Sequence, residues 1–301
     1  MLHPRAFKVT VIWTLGLLYL GSIVHATESS LACPDWPTCF GTLAPEMTGG
    51  VFWEHLHRLV AGGLILMFGL ATWLARKETS GRPWIFRACL GGIVLLLVQS
   101  VFGGLTVIYK LPDMVSTTHL GLAFLFLALT SVLASATSDT AAVMRGEPAD
   151  EGRTTESFGE GTGPRLRALA TFAAGLVFVQ SVLGALVRHT DAGMACGGLP
   201  LCAGRIVPPF VNLQITAHFF HRLLAIVATI AVLGVATWAY RADVPRSVRR
   251  WLDAAAALVV VQVGLGVYSV ITVLAVTPVS LHTLVAAALL SVLVWTATLA
   301  T

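Results

Sequence analysis

Apolar residues along this chain run in long unbroken stretches instead of alternating with polar ones. Eight such stretches cover about 8–25, 56–75, 86–108, 115–136, 166–187, 217–239, 251–273 and 279–300, almost without charge. Crossing ~30 Å of hydrocarbon as a helix takes about 20 apolar residues, and each stretch is long enough. Lipid offers no hydrogen bonds, so a spanning backbone must satisfy its own N–H and C=O groups, and the eight stretches are predicted to be helices. Polar residues collect between them, chiefly in 26–55, 137–165 and 188–216.

Composition removes the alternatives. The 301 residues are 56% hydrophobic and only 11% charged, against about 25% charged in a soluble domain. That excludes a soluble globular enzyme, a disordered chain and a nucleic-acid partner; the net charge of +4 matters less than where the charges fall. Fourteen Lys and Arg side chains, from Arg5 and Lys8 through Lys77, Arg145 and Arg153 to Arg250, lie on one set of flanks and loops. Five (Arg58, Lys110, Arg188, Arg205 and Arg222) lie on the other. Positive charge stays inside, so both termini are expected in the cytoplasm of a plasma-membrane protein, with 26–55 and 188–216 outside. The first 26 residues resemble a secretory signal ending in Val24-His25-Ala26. Cleavage is not expected, because the segment has a counterpart later in the chain.

That counterpart belongs to an internal repeat. Cys33, Cys39, Gln99 and His119 recur as Cys196, Cys202, Gln262 and His282 at an offset of 163 residues. Glu54-His55-Leu56-His57-Arg58-Leu59 aligns with His218-Phe219-Phe220-His221-Arg222-Leu223 at 164. The fold expected is an all-α polytopic membrane protein of eight transmembrane helices. Its two tandem four-helix bundles, residues 1–137 and 166–301, are related by a pseudo-twofold axis along the membrane normal. Residues 138–165, rich in Gly, Ser, Thr, Pro and acids, read as a cytoplasmic linker.

The repeat singles out four of nine histidines. His57, His119, His221 and His282 open spans 2, 4, 6 and 8, all near the outer leaflet. Two imidazoles at one depth on two helices of a bundle can supply both axial ligands of a heme, giving one heme per half. A zinc site wants three or four ligands in one cluster, and each half has two. His3 is expected to be solvated, and His25 and His189 to lie at the membrane interface. His55 points about 200° away from His57.

The halves differ three residues before the first ligand, where Glu54 faces His218. That spacing keeps each on the face of its histidine. Glu54 can shuttle protons or hold a developing cation; His218 supports its neighbour or rests at the interface. Arg58 and Arg222 suit heme propionates or anchor at the interface. Cys33/Cys39 and Cys196/Cys202 are both C-x5-C pairs in loops of an oxidising compartment. Structural disulfides are expected for both, with a redox role also open for the first. Cys89 is read as core packing, and Gln99 and Gln262 as an interhelical hydrogen bond.

Taken together, Glu54-x-x-His57-Arg58, His119, His221-Arg222 and His282, with the Cys33–Cys39 loop around Asp35-Trp36-Pro37, resemble the heme A synthase family over nearly the whole chain. The resemblance implies oxidation of the C8 methyl of heme O to the formyl of heme A for terminal oxidases. It implies a heme b cofactor between His221 and His282, and substrate heme O or product heme A between His57 and His119. It further implies a catalytic Glu54, functional Cys33 and Cys39, and a structural Cys196–Cys202 disulfide. Heme O comes from a membrane farnesyltransferase, so hand-off from that heme O synthase is expected. The electron acceptor and any homo-oligomer stay open. The rival reading is a di-heme b membrane electron-transfer cytochrome, quinol or thiol linked. It predicts hemes at both leaflets, whereas the four histidines lie at one.

Overall fold

The computed structural model of the chain describes residues 3–76, 82–144 and 157–300. Among them, eight helices are long and apolar enough to cross a membrane: α1 (His3–Ala26), α2 (Gly49–Ala75), α3 (Pro83–Ile108), α4 (Asp113–Ala136), α6 (Thr162–His189), α7 (Leu213–Arg241), α8 (Arg246–Ile271) and α9 (Val276–Leu299). A short helix, α5 (Asp139–Met144), follows α4. The protein is a multi-pass membrane protein. Lys77, Arg145, Arg153 and residues 145–156 of the expected linker lie outside the described residues; of the rest of that linker, 139–144 and 162–165 are helical.

The helices outrun the apolar stretches, and local chemistry sets some of their ends. Asn212 accepts the Ile215 amide at 2.8 Å and starts α7 before its apolar run begins. Pro83 occupies the first turn of α3, where its missing N–H costs nothing. Hydroxyls within the helices are satisfied locally: Thr10, Thr14, Thr72, Thr130 and Ser131 each donate to a carbonyl one turn back.

Packing sorts the helices into two shells. α1, α4, α6 and α9 touch one another, with α9 against all of the other three. α2 and α3 pack outside α1 and α4, and α7 and α8 outside α6 and α9. Phe7, Phe68, Phe126, Leu127, Leu166, Leu252 and Leu290 share one continuous core running through both groups. The outer helices turn apolar side chains outward, among them Leu66, Val94, Ile230 and Val260. In water such a surface would drive aggregation; against lipid it is the solvent-matched face. The inner helices are stitched by hydroxyls, with Ser131 Oγ 2.7 Å from Ser291 Oγ and Ser22 Oγ 3.2 Å from Thr283 Oγ1. Small polar residues of this kind hold membrane helices at close approach.

His3 departs from expectation. It is buried in the first turn of α1, edge-on to Phe7 at 6.2 Å, because the helix begins there and folds its end against the core. Local backbone conformation also recurs at the repeat offset. Left-handed residues Glu28, Phe40, Gly41, Lys110 and Leu111 have counterparts at Asp191, Ala203, Gly204, Val273 and Leu274.

Candidate functional site

The four repeated histidines sit in the second or third turn of α2, α4, α7 and α9. Each is half-buried. Each ring lies against a glycine of a neighbouring helix, so close that a Cβ there would meet the imidazole. The pairs and distances are Gly21 on His57 at 3.0 Å, Gly103 on His119 at 3.1 Å, Gly184 on His221 at 2.9 Å and Gly266 on His282 at 3.1 Å. The glycines let the backbones approach and fix how each ring turns. Gly103 and Gly266 fall in the Gly-rich stretches after Gln99 and Gln262. Gly21 and Gly184 had no such signal, although they too are 163 residues apart.

Hydrogen bonds then orient the rings. His119 Nδ1 lies 3.1 Å from the Gln99 carbonyl, which can only accept, so this ring carries its proton on Nδ1 and leaves the Nε2 lone pair free for a metal. Gln262 Nε2 lies 3.2 Å from His282 Nε2, and Gln180 Nε2 lies 3.0 Å from His221 Nδ1 and 2.9 Å from its carbonyl. The glutamines therefore address the histidines instead of bonding each other. Gln99 does so through its backbone, and its side-chain oxygen has no partner. His57 Nδ1 and His282 Nδ1 are buried without partners. Two imidazoles per half, held by glycines and with ring nitrogens uncommitted, fit a bis-histidine heme; a closed zinc site would need more donors.

A guanidinium clamp secures the loop above each pair. Arg58 Nη1 donates to the carbonyls of Asp35 (2.7 Å) and Thr38 (2.5 Å). Arg222 Nη1 donates to Gly198 (2.7 Å) and Leu201 (3.2 Å), the positions 163 residues on. The arginines are thus loop clasps before anything else, a role the sequence did not suggest. What lies behind them differs. Arg58 Nη2 pairs with Glu54 Oε1 at 2.5 Å, the one ion pair between described residues. Arg222 Nε donates instead to His218 Nε2 at 3.0 Å, and its Nη2 is buried without a partner.

Glu54 is buried, not solvated, and its second oxygen accepts the Cys33 amide at 2.8 Å. Cys33 is bonded to Cys39, and Cys196 to Cys202, as the sequence predicted. All four cysteines are buried, and Cys89 is a buried free thiol in the core. His55 also turns inward, away from His57: its Nε2 lies 3.1 Å from the Leu43 carbonyl, and it sits beside the Cys33–Cys39 sulfurs. Those sulfurs are spent in the disulfide, so the cluster offers no metal site. Asp35 organises the loop tip. The Thr38 hydroxyl, with the Gly41 and Phe40 amides, holds its carboxyl below the usual carboxylate range. His25 and His189 are not separate interfacial residues. Their rings meet edge to face at 5.1 Å where α1 and α6 end, and His189 Nδ1 lies 3.2 Å from Thr117 Oγ1.

Fold and site define a class: a polytopic membrane protein with paired, glycine-backed imidazoles beneath disulfide-closed loops. The chain belongs to the COX15-CtaA family of cytochrome oxidase assembly proteins, whose family model matches residues 46–294. It is similar to the heme A synthase of Symbiobacterium thermophilum, 31% identical over 259 residues, which cover 85% of this chain and 81% of the relative. The heme A synthase of Halalkalibacterium halodurans is 29% identical, over 79% of this chain and 77% of its own. That of Rhodospirillum centenum is 28% identical, over 97% and 88%.

Proposed function

We propose that the protein is a heme A synthase, an oxidoreductase that converts the C8 methyl of heme O to the formyl of heme A. The observation that carries this reading is the Glu54–Arg58–Cys33 arrangement one turn from His57, joined to the paired histidines and to relatives named for that activity. The two halves, 1–137 and 166–301, act as pseudo-symmetric bundles joined by 138–165. Both termini are cytoplasmic, and the histidine ends of the helices face outward across the plasma membrane.

His57 and His119 hold substrate heme O by its iron, and the product heme A leaves from the same place. His221 and His282 would hold heme b, which supplies an electron-accepting centre when bound. Glu54 is the catalytic residue. Arg58 and the Cys33 amide keep its carboxylate fixed on the His57 face, where it stabilises positive charge developing at the methyl or takes its proton. Carboxylate geometry thus rests on the Cys33–Cys39 loop, which gives that disulfide a functional role without requiring its reduction. Heme O arrives from the membrane enzyme that makes it.

Glu54→Gln keeps the size and removes the charge. Heme A formation in cells supplied with heme O should fall by about a hundredfold or more, while heme B still co-purifies. Pigment extraction checks both. Undiminished heme A would remove Glu54 from the chemistry, and a wild-type protein yielding heme B alone would overturn the synthase reading.

A further inference from the structure

The two histidine sites are built alike but charged differently. In the first half, Glu54 neutralises Arg58, whose Nη1 and Nη2 both have partners. In the second, the matching residue His218 accepts a hydrogen bond from Arg222 Nε through its own Nε2 and is therefore neutral. Arg222 keeps its full charge, and its Nη2, a buried donor, has nothing to bond. Arg188 is engaged elsewhere, donating to the Ser22 carbonyl of α1 at 3.0 Å. Among the described residues, then, the second site has in Arg222 a guanidinium without a carboxylate.

The imbalance extends over the whole histidine end. Around the first site stand four further carboxylates, Glu28, Asp35, Glu46 and Asp113, against one more cation, Lys110. The loops and helix ends of the second repeat carry Arg188, Arg205 and Arg222, with Asp191 the single acid. An anion is attracted to one mouth and repelled by the other.

A heme carries two propionates. We propose that Arg222, left unneutralised by His218, is the carboxylate-binding residue that retains a dianionic porphyrin in the second half. The Glu54–Arg58 pair denies the first half that hold, so its porphyrin can leave. One substitution between the repeats, Glu54 against His218, separates a resident group from an exchanging one. The inference rests on the assignment of cofactor to the second half and substrate to the first.

The test follows loss of bound heme from the purified full-length protein in lipid nanodiscs to excess apomyoglobin, read by the Soret band. Arg222→Gln and His218→Glu should each release heme about tenfold faster or more, the size of one lost charge-assisted bond. Arg222→Lys should stay near the wild-type rate, which separates lost charge from a damaged fold. Wild-type protein loaded with protoheme dimethyl ester should release it as fast as Arg222→Gln releases heme. If the ester and the free acid leave the wild type at equal rates, or neither Arg222→Gln nor His218→Glu changes release, the proposal is overturned. His221→Ala and His57→Ala separate the two levels. If the retained heme is lost in His57→Ala and kept in His221→Ala, the assignment of the halves fails. If it is lost in His221→Ala yet indifferent to charge at 222, the retention proposal alone fails.

Discussion

At the scale of single residues, the site depends on groups that hold other groups. Asp35 illustrates this with a testable pH dependence. Its carboxylate accepts from Thr38, Gly41 and Phe40, and its pKa in the folded loop is lowered. A lowered value stabilises the loop at any pH above that of the unfolded carboxyl, and the effect disappears as pH falls through the folded value. Amide exchange at Phe40 and Gly41 should therefore stay slow in mild acid, where a free Asp is already half protonated, and quicken only below it. In Asp35→Asn it should be fast throughout. An Asp35→Asn loop as protected as wild type would show that the amides are held by other means. The histidines themselves were legible in the sequence because a coincidence repeated 163 or 164 residues apart is improbable. Their supports were less so. The partners of Arg58 and Arg222 are backbone carbonyls, which bear no residue identity. Gln180 has no repeat counterpart, since Leu17 stands in its place. The meeting of His25 and His189 was hidden because it joins two helix ends far apart in the sequence.

At the scale of elements, the eight spans were the most legible feature, because hydrocarbon thickness and backbone hydrogen bonding leave helices as the one solution for such stretches. Their ends were harder. α2 begins at Gly49, inside what reads as polar loop, and so carries Glu54 and His55 into the helix and buries both. Apolarity marks where lipid is and not where the helix starts, and the turn carrying Glu54 lies between the two. The C-x5-C loops were legible as disulfides from compartment and spacing. What fastens each loop over its site was not, because it depends on a guanidinium reaching up from the helix below. Outer helices carry one histidine of each pair on α2 and α7, inner helices the other on α4 and α9. Each candidate heme site is thus a seam between the two shells.

At the scale of the whole molecule, the inner shell makes one body of two repeats. The core runs without a break from α1 to α9, and the hydroxyl pairs Ser131–Ser291 and Ser22–Thr283 cross between the halves. Chains covering 1–144 and 157–301, expressed together, should therefore assemble without a covalent joint. Co-purification on a tag carried by one of them checks this; recovery of the tagged half alone would mean that the joint is required. The glycine contacts have a genetic consequence on the same scale. A Cβ added at Gly21, Gly103, Gly184 or Gly266 would lie 2.9 to 3.1 Å from an imidazole, whereas one added at Gly16, Gly62, Gly69, Gly91, Gly175 or Gly234 would meet nothing within 4 Å. Every missense change at a glycine codon adds a side chain. In a saturation library selected for respiration through a heme A oxidase, the first four positions should be barren and the other six permissive to alanine. The map of tolerated codons would then trace the paired sites without any pigment being measured.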